Sequence, residues 1–172
     1  MAYYTIGIDP GSNLMGLYAL KFSRKKFRAR PIKCCSFKGK PHPKGASWLQ
    51  RTHLVSTWLR TIANQIALQT GENNITLAVE DYVYFGRPTK GFVNTIKIIS
   101  GTIALLSAWP LVLYTPRSWR RLVRQFRENP DFVAAEEKAR RNMPPQNPHE
   151  EDAFQIALCC GYQMQKGECN VL

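Results

Sequence analysis

Four side chains in this sequence have types and positions that could do chemistry together: Asp9, Glu80, His149 and Asp152. Asp9 closes the run YYTIGID ahead of Pro10-Gly11-Ser12, Glu80 closes ITLAVE, and Asp152 falls near the start of the last apolar segment. Carboxylates brought to one place repel each other. A divalent cation removes that repulsion, and hard oxygen donors suit Mg2+, with Mn2+ as a substitute. His149 and Asp152 are spaced i, i+3, so on a helix they share a face and His149 can join the group. Four such ligands can hold two ions about 3.5–4 Å apart, the arrangement for in-line attack of water on a phosphodiester. Taken singly, each residue has an ordinary structural explanation. Asp-Pro-Gly is turn chemistry, Glu80 can be a strand-end acid, Asp152 suits the positive end of a helix, and a histidine at a helix start is common. Their joint position at the ends of the right elements is what points to a site.

Those elements can be read from the pattern of residue types. Residues 3–9 are rich in aromatic and β-branched types, 15–22 and 26–37 read as two more strands with Ser23-Arg24-Lys25 as the turn between them, and the three are expected to form an antiparallel meander. A Gly/Pro/Lys loop over 38–47 precedes a helix from about 47 to 69, with Trp48, Val55, Trp58, Leu59, Ile62 and Ile66 on one face and Gly71 beyond its end. Residues 75–80 and 110–114 are apolar without alternation, as strands buried on both faces are. Between them a helix over 92–108 carries two apolar stripes, one of which includes Gly101; core burial explains them, and a seam with a partner chain is the second reading. Thr115-Pro116 opens a helix that turns Trp119, Leu122, Val123 and Phe126 inward and Arg117, Arg120, Arg121, Arg124 and Arg127 outward. Residues 129–148 are broken by Pro130, Pro144, Pro145 and Pro148, and Asn147 caps a last helix running to about 165.

The expected fold class is therefore α/β: a mixed five-stranded sheet, three antiparallel strands and then two parallel-linked ones, flanked by helices. This is the order of an RNase H-like fold, in a chain whose 172 residues suit a single domain spanning 1–172. Strands one and four are then parallel neighbours, which puts Asp9 and Glu80 on the same sheet edge. Because sugar kinases and actin-like ATPases share that core, the fold alone does not give a function.

Composition narrows the partner. Lys plus Arg number 24 against 12 Asp plus Glu, a net charge of +12, so a polyanion is expected, nucleic acid ahead of a membrane surface. Basic residues cluster at Arg24-Lys25-Lys26, Lys38-Gly39-Lys40, Arg117 with Arg120, Arg121 and Arg124, and Arg140-Arg141, while Glu150, Glu151 and Asp152 stand together. No apolar run approaches the ~18 residues of a membrane span, and the start of the chain lacks the pattern of a signal peptide. A cytoplasmic location and reduced, mostly structural thiols are expected; Cys34-Cys35, Cys159-Cys160 and Cys169 lack zinc-site spacing.

Four blocks carry a resemblance. IGIDPGSNLMGLYAL, LAVEDYVYFG followed by IKIISGTIALL, LYTPRSWRRLV and NPHEEDAFQIALC are similar to the signature blocks of RuvC Holliday junction resolvases, and they span residues 6 to about 160. The resemblance implies that Asp9, Glu80 and Asp152 are catalytic metal ligands. His149 stands where the family usually has a fourth acid, and Glu150 and Glu151 face elsewhere. It also implies a Mg2+-dependent crossover junction endodeoxyribonuclease, acting as a homodimer that makes paired symmetric nicks, since a four-way junction is two-fold symmetric. Tyr84 and Phe85, with Tyr82 and beside Arg87 and Lys90, suit stacking on unpaired bases at a crossover. Arg117, Arg120, Arg121 and Arg124 suit phosphate contact. The chain departs from the family where Arg120-Arg121 replaces a lysine-rich pair and where RQFRENPDFVAAEEKARR replaces a Gly-rich stretch. The compact chain and this divergent block are compatible with a phage-type member.

Three rival readings remain open on the sequence. An RNase H-like nuclease for other branched DNA or RNA–DNA hybrids would use the same carboxylates. An actin-like ATPase would need a second Gly-rich phosphate loop and about twice the length. A junction-binding protein without catalysis would have no need for the intact acids.

Overall fold

A computed structural model of the chain describes residues 2–10, 14–23, 25–38, 47–70, 74–81 and 109–169, together with positions 93, 96, 97, 100, 101 and 104. The strands are β1 (Ala2–Asp9), β2 (Leu14–Ser23), β3 (Ala29–Lys38), β4 (Ile75–Glu80) and β5 (Leu111–Tyr114). They form one sheet in the order β3-β2-β1-β4-β5. The β1–β2 and β2–β3 pairs are antiparallel, and β1–β4 and β4–β5 are parallel. This is the expected mixed sheet. Parallel neighbours need crossovers. Helix α1 (Trp48–Thr70) lies in the first, and the described positions between 93 and 104 are helical in the second. The third strand starts at Ala29 rather than 26, and its Pro31 faces Leu20 at a register shift. β3 is at the sheet edge, where a residue without an N–H is tolerated.

Every residue of β1 after Ala2 is buried, as befits a central strand covered on both faces. Its even-numbered side chains Tyr4, Ile6 and Ile8 pack in a cluster with Val55, Leu59, Ile62, Ala63 and Ile66 of α1. Trp58 is packed at the margin of that cluster, and the side chain of Trp48 lies outside the described residues. A Cβ at Gly101 would press on Thr52 of α1, so the stripe that contains Gly101 meets a helix of the same chain at that point. Ile96 of the other stripe is half-buried, and the remaining stripe residues lie outside the described ones.

The other face carries α2 (Pro116–Phe126), α3 (Pro130–Asn142) and α4 (Pro148–Lys166). Reading 129–148 as a proline-broken stretch is corrected here, because Pro130 begins a 13-residue helix. Proline has no N–H to lose at the first helical position. Asn129 caps α3 by accepting from the Asp131 N–H, as Thr115 caps α2 and Asn147 caps α4. Phe132, Ala135 and Ala139 then enter the core beside Phe126 and Tyr162.

Helix α4 lies directly on β1 with a matched repeat. The Tyr3 hydroxyl donates to the Gly161 carbonyl and the Thr5 hydroxyl to the Ala157 carbonyl, each at 2.8 Å. A Cβ at Gly7 would collide with the Ala153 carbonyl. Asp9 meets His149. Two residues along a strand advance ~6.6 Å and four along a helix ~6 Å, so the two elements stay in step. The small residues Ala153, Ala157 and Gly161 let the backbones approach. The five cysteines are free thiols. Among the described residues no helix is long and apolar enough to cross a membrane.

Candidate active site

The β1–β4 register pairs Ile8 with Val79, so Asp9 and Glu80 end adjacent parallel strands at one sheet edge. Both are buried, at 5% and 4% exposure. The Asp9 Oδ2 is 2.6 Å from His149 Nδ1. The Glu80 Oε2 accepts from the Trp119 indole N–H at 3.0 Å. Asp152 is paired with Arg120 at 3.3 Å, and the Arg120 guanidinium also stacks on Trp119. Helix α2 thus supplies a partner to each of two acids that β4 and α4 present.

The electrostatics join these groups into one unit. Burial pushes the Asp9 carboxyl from 3.8 to about 6, opposed by its bond to His149, with the charge of Asp152 raising it further. Burial pushes Glu80 from 4.5 to about 7; the Asp9 charge adds to this, the Trp119 bond opposes it, and Asp152 and Arg120 act in opposite senses. Two buried carboxyls that repel each other form a site with excess negative potential once ionised. Their oxygens are the hard donors a magnesium-like ion takes. Among the described residues no three His, Cys, Asp or Glu side chains are gathered closely enough to hold a metal ion. Asp9 meets His149 through Oδ2, Glu80 accepts from Trp119 through Oε2 and Asp152 pairs with Arg120 through Oδ2, so the donor chemistry fits, and a closed metal site would need the set to draw together.

The neighbouring acids are committed elsewhere. Glu150 accepts from Ser36 and Cys34 of β3 and from the Gln146 N–H, and these bonds hold its carboxyl below the ordinary range despite burial. Glu151 is paired with Arg140, which also contacts Glu136 beside Arg127. These contacts hold the first turns of α4 against β3 and α3, and so fix where His149 and Asp152 emerge. Glu136 and Arg140 are spaced i, i+4, a signal the sequence carried. The role of Trp119 as a donor to Glu80 is what the sequence reading missed; it appeared there only as an inward residue.

Arg117, Arg120, Arg121 and Arg124 are exposed along α2, and Arg120 is paired with Asp152. Tyr82, Tyr84, Phe85, Arg87 and Lys90 lie outside the described residues, and their expected base contacts stand as expectations.

No protein-family model matches the chain, and no curated protein matches it. Solved structures do. Thermus thermophilus RuvC in complex with Holliday junction substrate aligns over 98% of this chain and 99% of its own at TM-score 0.69 and 16% identity. Another Thermus thermophilus RuvC structure aligns with the same coverages at TM-score 0.70 and 18% identity. The yeast mitochondrial Holliday junction resolvase Ydc2 aligns over 95% of this chain and 80% of its own at TM-score 0.54 and 12% identity. At such identities the likeness is one of fold: the chain has the RNase H-like fold of RuvC, along nearly its whole length.

Proposed function

We propose that this chain is a metal-dependent endonuclease that resolves four-way DNA junctions. The observation that carries this reading is the placing of Asp9 and Glu80 at the ends of adjacent strands, with His149 against Asp9 and with the charges of Asp152 and Arg120 acting on both carboxyls. The fold shared with RuvC over most of the chain supports it. Asp9, Glu80 and Asp152, with His149, would hold the ions, Mg2+ or Mn2+ and two per site. Bound there, they supply polarisation of the scissile phosphate and activation of a water. Asp9 and Glu80 provide the charge, His149 orients Asp9, and Trp119 orients Glu80. Arg120, released from Asp152, is placed to meet a phosphate, with Arg117, Arg121 and Arg124 extending the contact. Paired symmetric nicks require two such sites, and a homodimer of single-domain chains (1–172) acting in the cytoplasm, in recombination and repair, completes the reading.

The test is cleavage of mobile and immobile four-way junctions in Mg2+ or Mn2+, beside linear duplex, a fork and an RNA–DNA hybrid, with Asp9→Asn as control. Paired nicks in the junction alone, lost in Asp9→Asn while binding persists, are the expected result. Cutting of forks or hybrids with the junction spared keeps the chemistry and replaces the substrate. One observation favours a second reading: each acid already has a protein partner. A junction-binding protein without catalysis would cut nothing and show no response to metal.

A further inference from the structure

The basic pair Lys25-Lys26 takes no part in the site above. Lys25 and Lys26, from the β2–β3 connection, line an open groove of about 840 Å³ with Arg28, with Lys138 of α3 and with Lys166 at the end of α4. Asp131 is the one carboxylate among its described lining residues. A smaller groove of about 370 Å³ adjoins it through the shared Arg28 and adds Lys21 and Arg30. Among the described residues Lys25, Lys26, Arg28 and Lys138 have no ion-pair partner. Lys166 lies over the rings of Tyr162 and Phe126.

Five cations gathered with a single carboxylate repel one another, and a polyanion relieves that repulsion. A small anion needs donors converging on one point, whereas these cations line two connected open grooves. A membrane surface needs apolar side chains among the charges. Among the described residues the large exposed ones are Leu49, Leu54 and Leu68 on α1 and Leu113 on β5, none of them in either lining, where Phe27 is half-buried and stacked on Phe22 and Phe132. The remaining fit is an extended phosphate backbone. Lys166 and His149 are at opposite ends of α4, so the groove is roughly 25 Å from the carboxylates along the helix axis.

We propose that this groove is a second nucleic-acid contact, separate from the carboxylate site, that holds the phosphate backbone of duplex DNA. It rests on the proposed function only in taking the polyanion to be DNA. With the cut site at the head of α4 and the groove at its foot, one chain grips the substrate at two points, and the groove adds affinity without touching the reacting phosphate.

The experiment is binding of the full chain, without metal, to linear duplex and to a four-way junction across a salt series. It compares the wild type with the combined variant Lys25→Gln, Lys26→Gln and Lys138→Gln. The expected result is weaker binding to both DNAs and a log–log salt slope shallower by about 3, one per lysine. The corresponding three Lys→Arg changes restore the slope. Lys138→Glu alone, which leaves the β2–β3 connection intact, lowers it by about one or more if the combined variant fails to fold. Unchanged affinity and slope overturn the proposal. So does a loss of binding to polyglutamate with duplex binding intact, which would assign the groove to an acidic polypeptide. Because the readout is binding to plain duplex, it stands whether or not the junction is cleaved, and a failed groove leaves the carboxylate site as it was.

Discussion

The Nδ1 atom of His149 lies 2.6 Å from the Oδ2 atom of Asp9, across 140 residues of sequence. The meeting depends on a missing side chain. Gly16 is the antiparallel partner of Asp9, and a Cβ there would occupy the space of the His149 carbonyl and the Glu150 nitrogen. Backbone atoms cannot yield as a flexible side-chain tip can. Only glycine on β2 lets the first turn of α4 settle over the end of β1.

Gly16→Ala is therefore expected to lift that turn, lengthen the Asp9–His149 contact and loosen the Glu150 bonds to β3. Overpacking of a close contact costs about 1–3 kcal/mol. Urea unfolding measures the loss, and Mn2+ titration measures the site. A variant with wild-type stability and wild-type metal affinity would show that α4 is not held by this approach.

The raised carboxyls set the pH dependence of the metal-free protein. Asp9 titrates near 3.8 when unfolded and about 6 when folded, and Glu80 near 4.5 and about 7. Between those values the folded chain holds more protons than the unfolded one, so stability falls as pH rises from about 4 to about 7 and then levels. Glu136 and Glu150 are held below their ordinary 4.5, so their opposite contribution is constant above about pH 5. With EDTA present, the urea midpoint at pH 5 is expected to exceed that at pH 8. Asp9→Asn, freed of one buried charge, should be more stable than the wild type at pH 8 by up to about 3 kcal/mol. Added Mg2+ or Mn2+ should raise the wild-type Tm and leave Asp9→Asn nearly unmoved. A wild type whose stability is flat from pH 5 to 8 would contradict the coupling of these acids.

How much of this could be read in advance follows from where each signal resides. The strands and their terminal acids were legible because buried strands have continuous apolar composition and the acids interrupt it. Helix α3 was not, since a proline reads as a breaker unless the residue before it caps a helix, as Asn129 does for Pro130, Thr115 for Pro116 and Asn147 for Pro148. The fit of Tyr3, Thr5, Gly7 and Asp9 against α4 leaves a trace in Ala153, Ala157 and Gly161, spaced by four. That trace gains meaning only once the strand opposite is known. The Trp119–Glu80 bond joins two residues 39 positions apart, and nothing local announces a through-space donor.

Trp119→Phe tests that bond while keeping an aromatic ring in the core. Without the indole N–H the Glu80 carboxyl loses a hydrogen bond that favours its ionised form. The acid limb of the cleavage pH profile should move to higher pH, and activity near neutrality should drop about 10–100-fold, the usual cost of losing an orienting partner behind a metal ligand. Higher pH should recover part of the loss. An unshifted limb with a uniform loss would assign Trp119 to packing alone.

Arg120 sits between two roles, and they predict effects of opposite sign. It is paired with Asp152 and stacked on Trp119, with about half of its side chain, 52%, open to solvent. Arg120→Gln removes a positive charge that opposes cation entry and frees Asp152, so Mn2+ should bind more tightly in the absence of DNA. The same change removes a phosphate contact, so junction affinity should fall and its salt slope should shrink by about 1. Arg120→Lys keeps the charge but gives up the planar fork and the stacking, and should recover DNA binding in part with metal affinity near that of the wild type. Calorimetry with Mn2+ and salt-dependent junction binding separate the two roles. Metal affinity that is unchanged or weakened in Arg120→Gln would mean that Asp152 gains nothing by release, and that Arg120 acts on DNA alone.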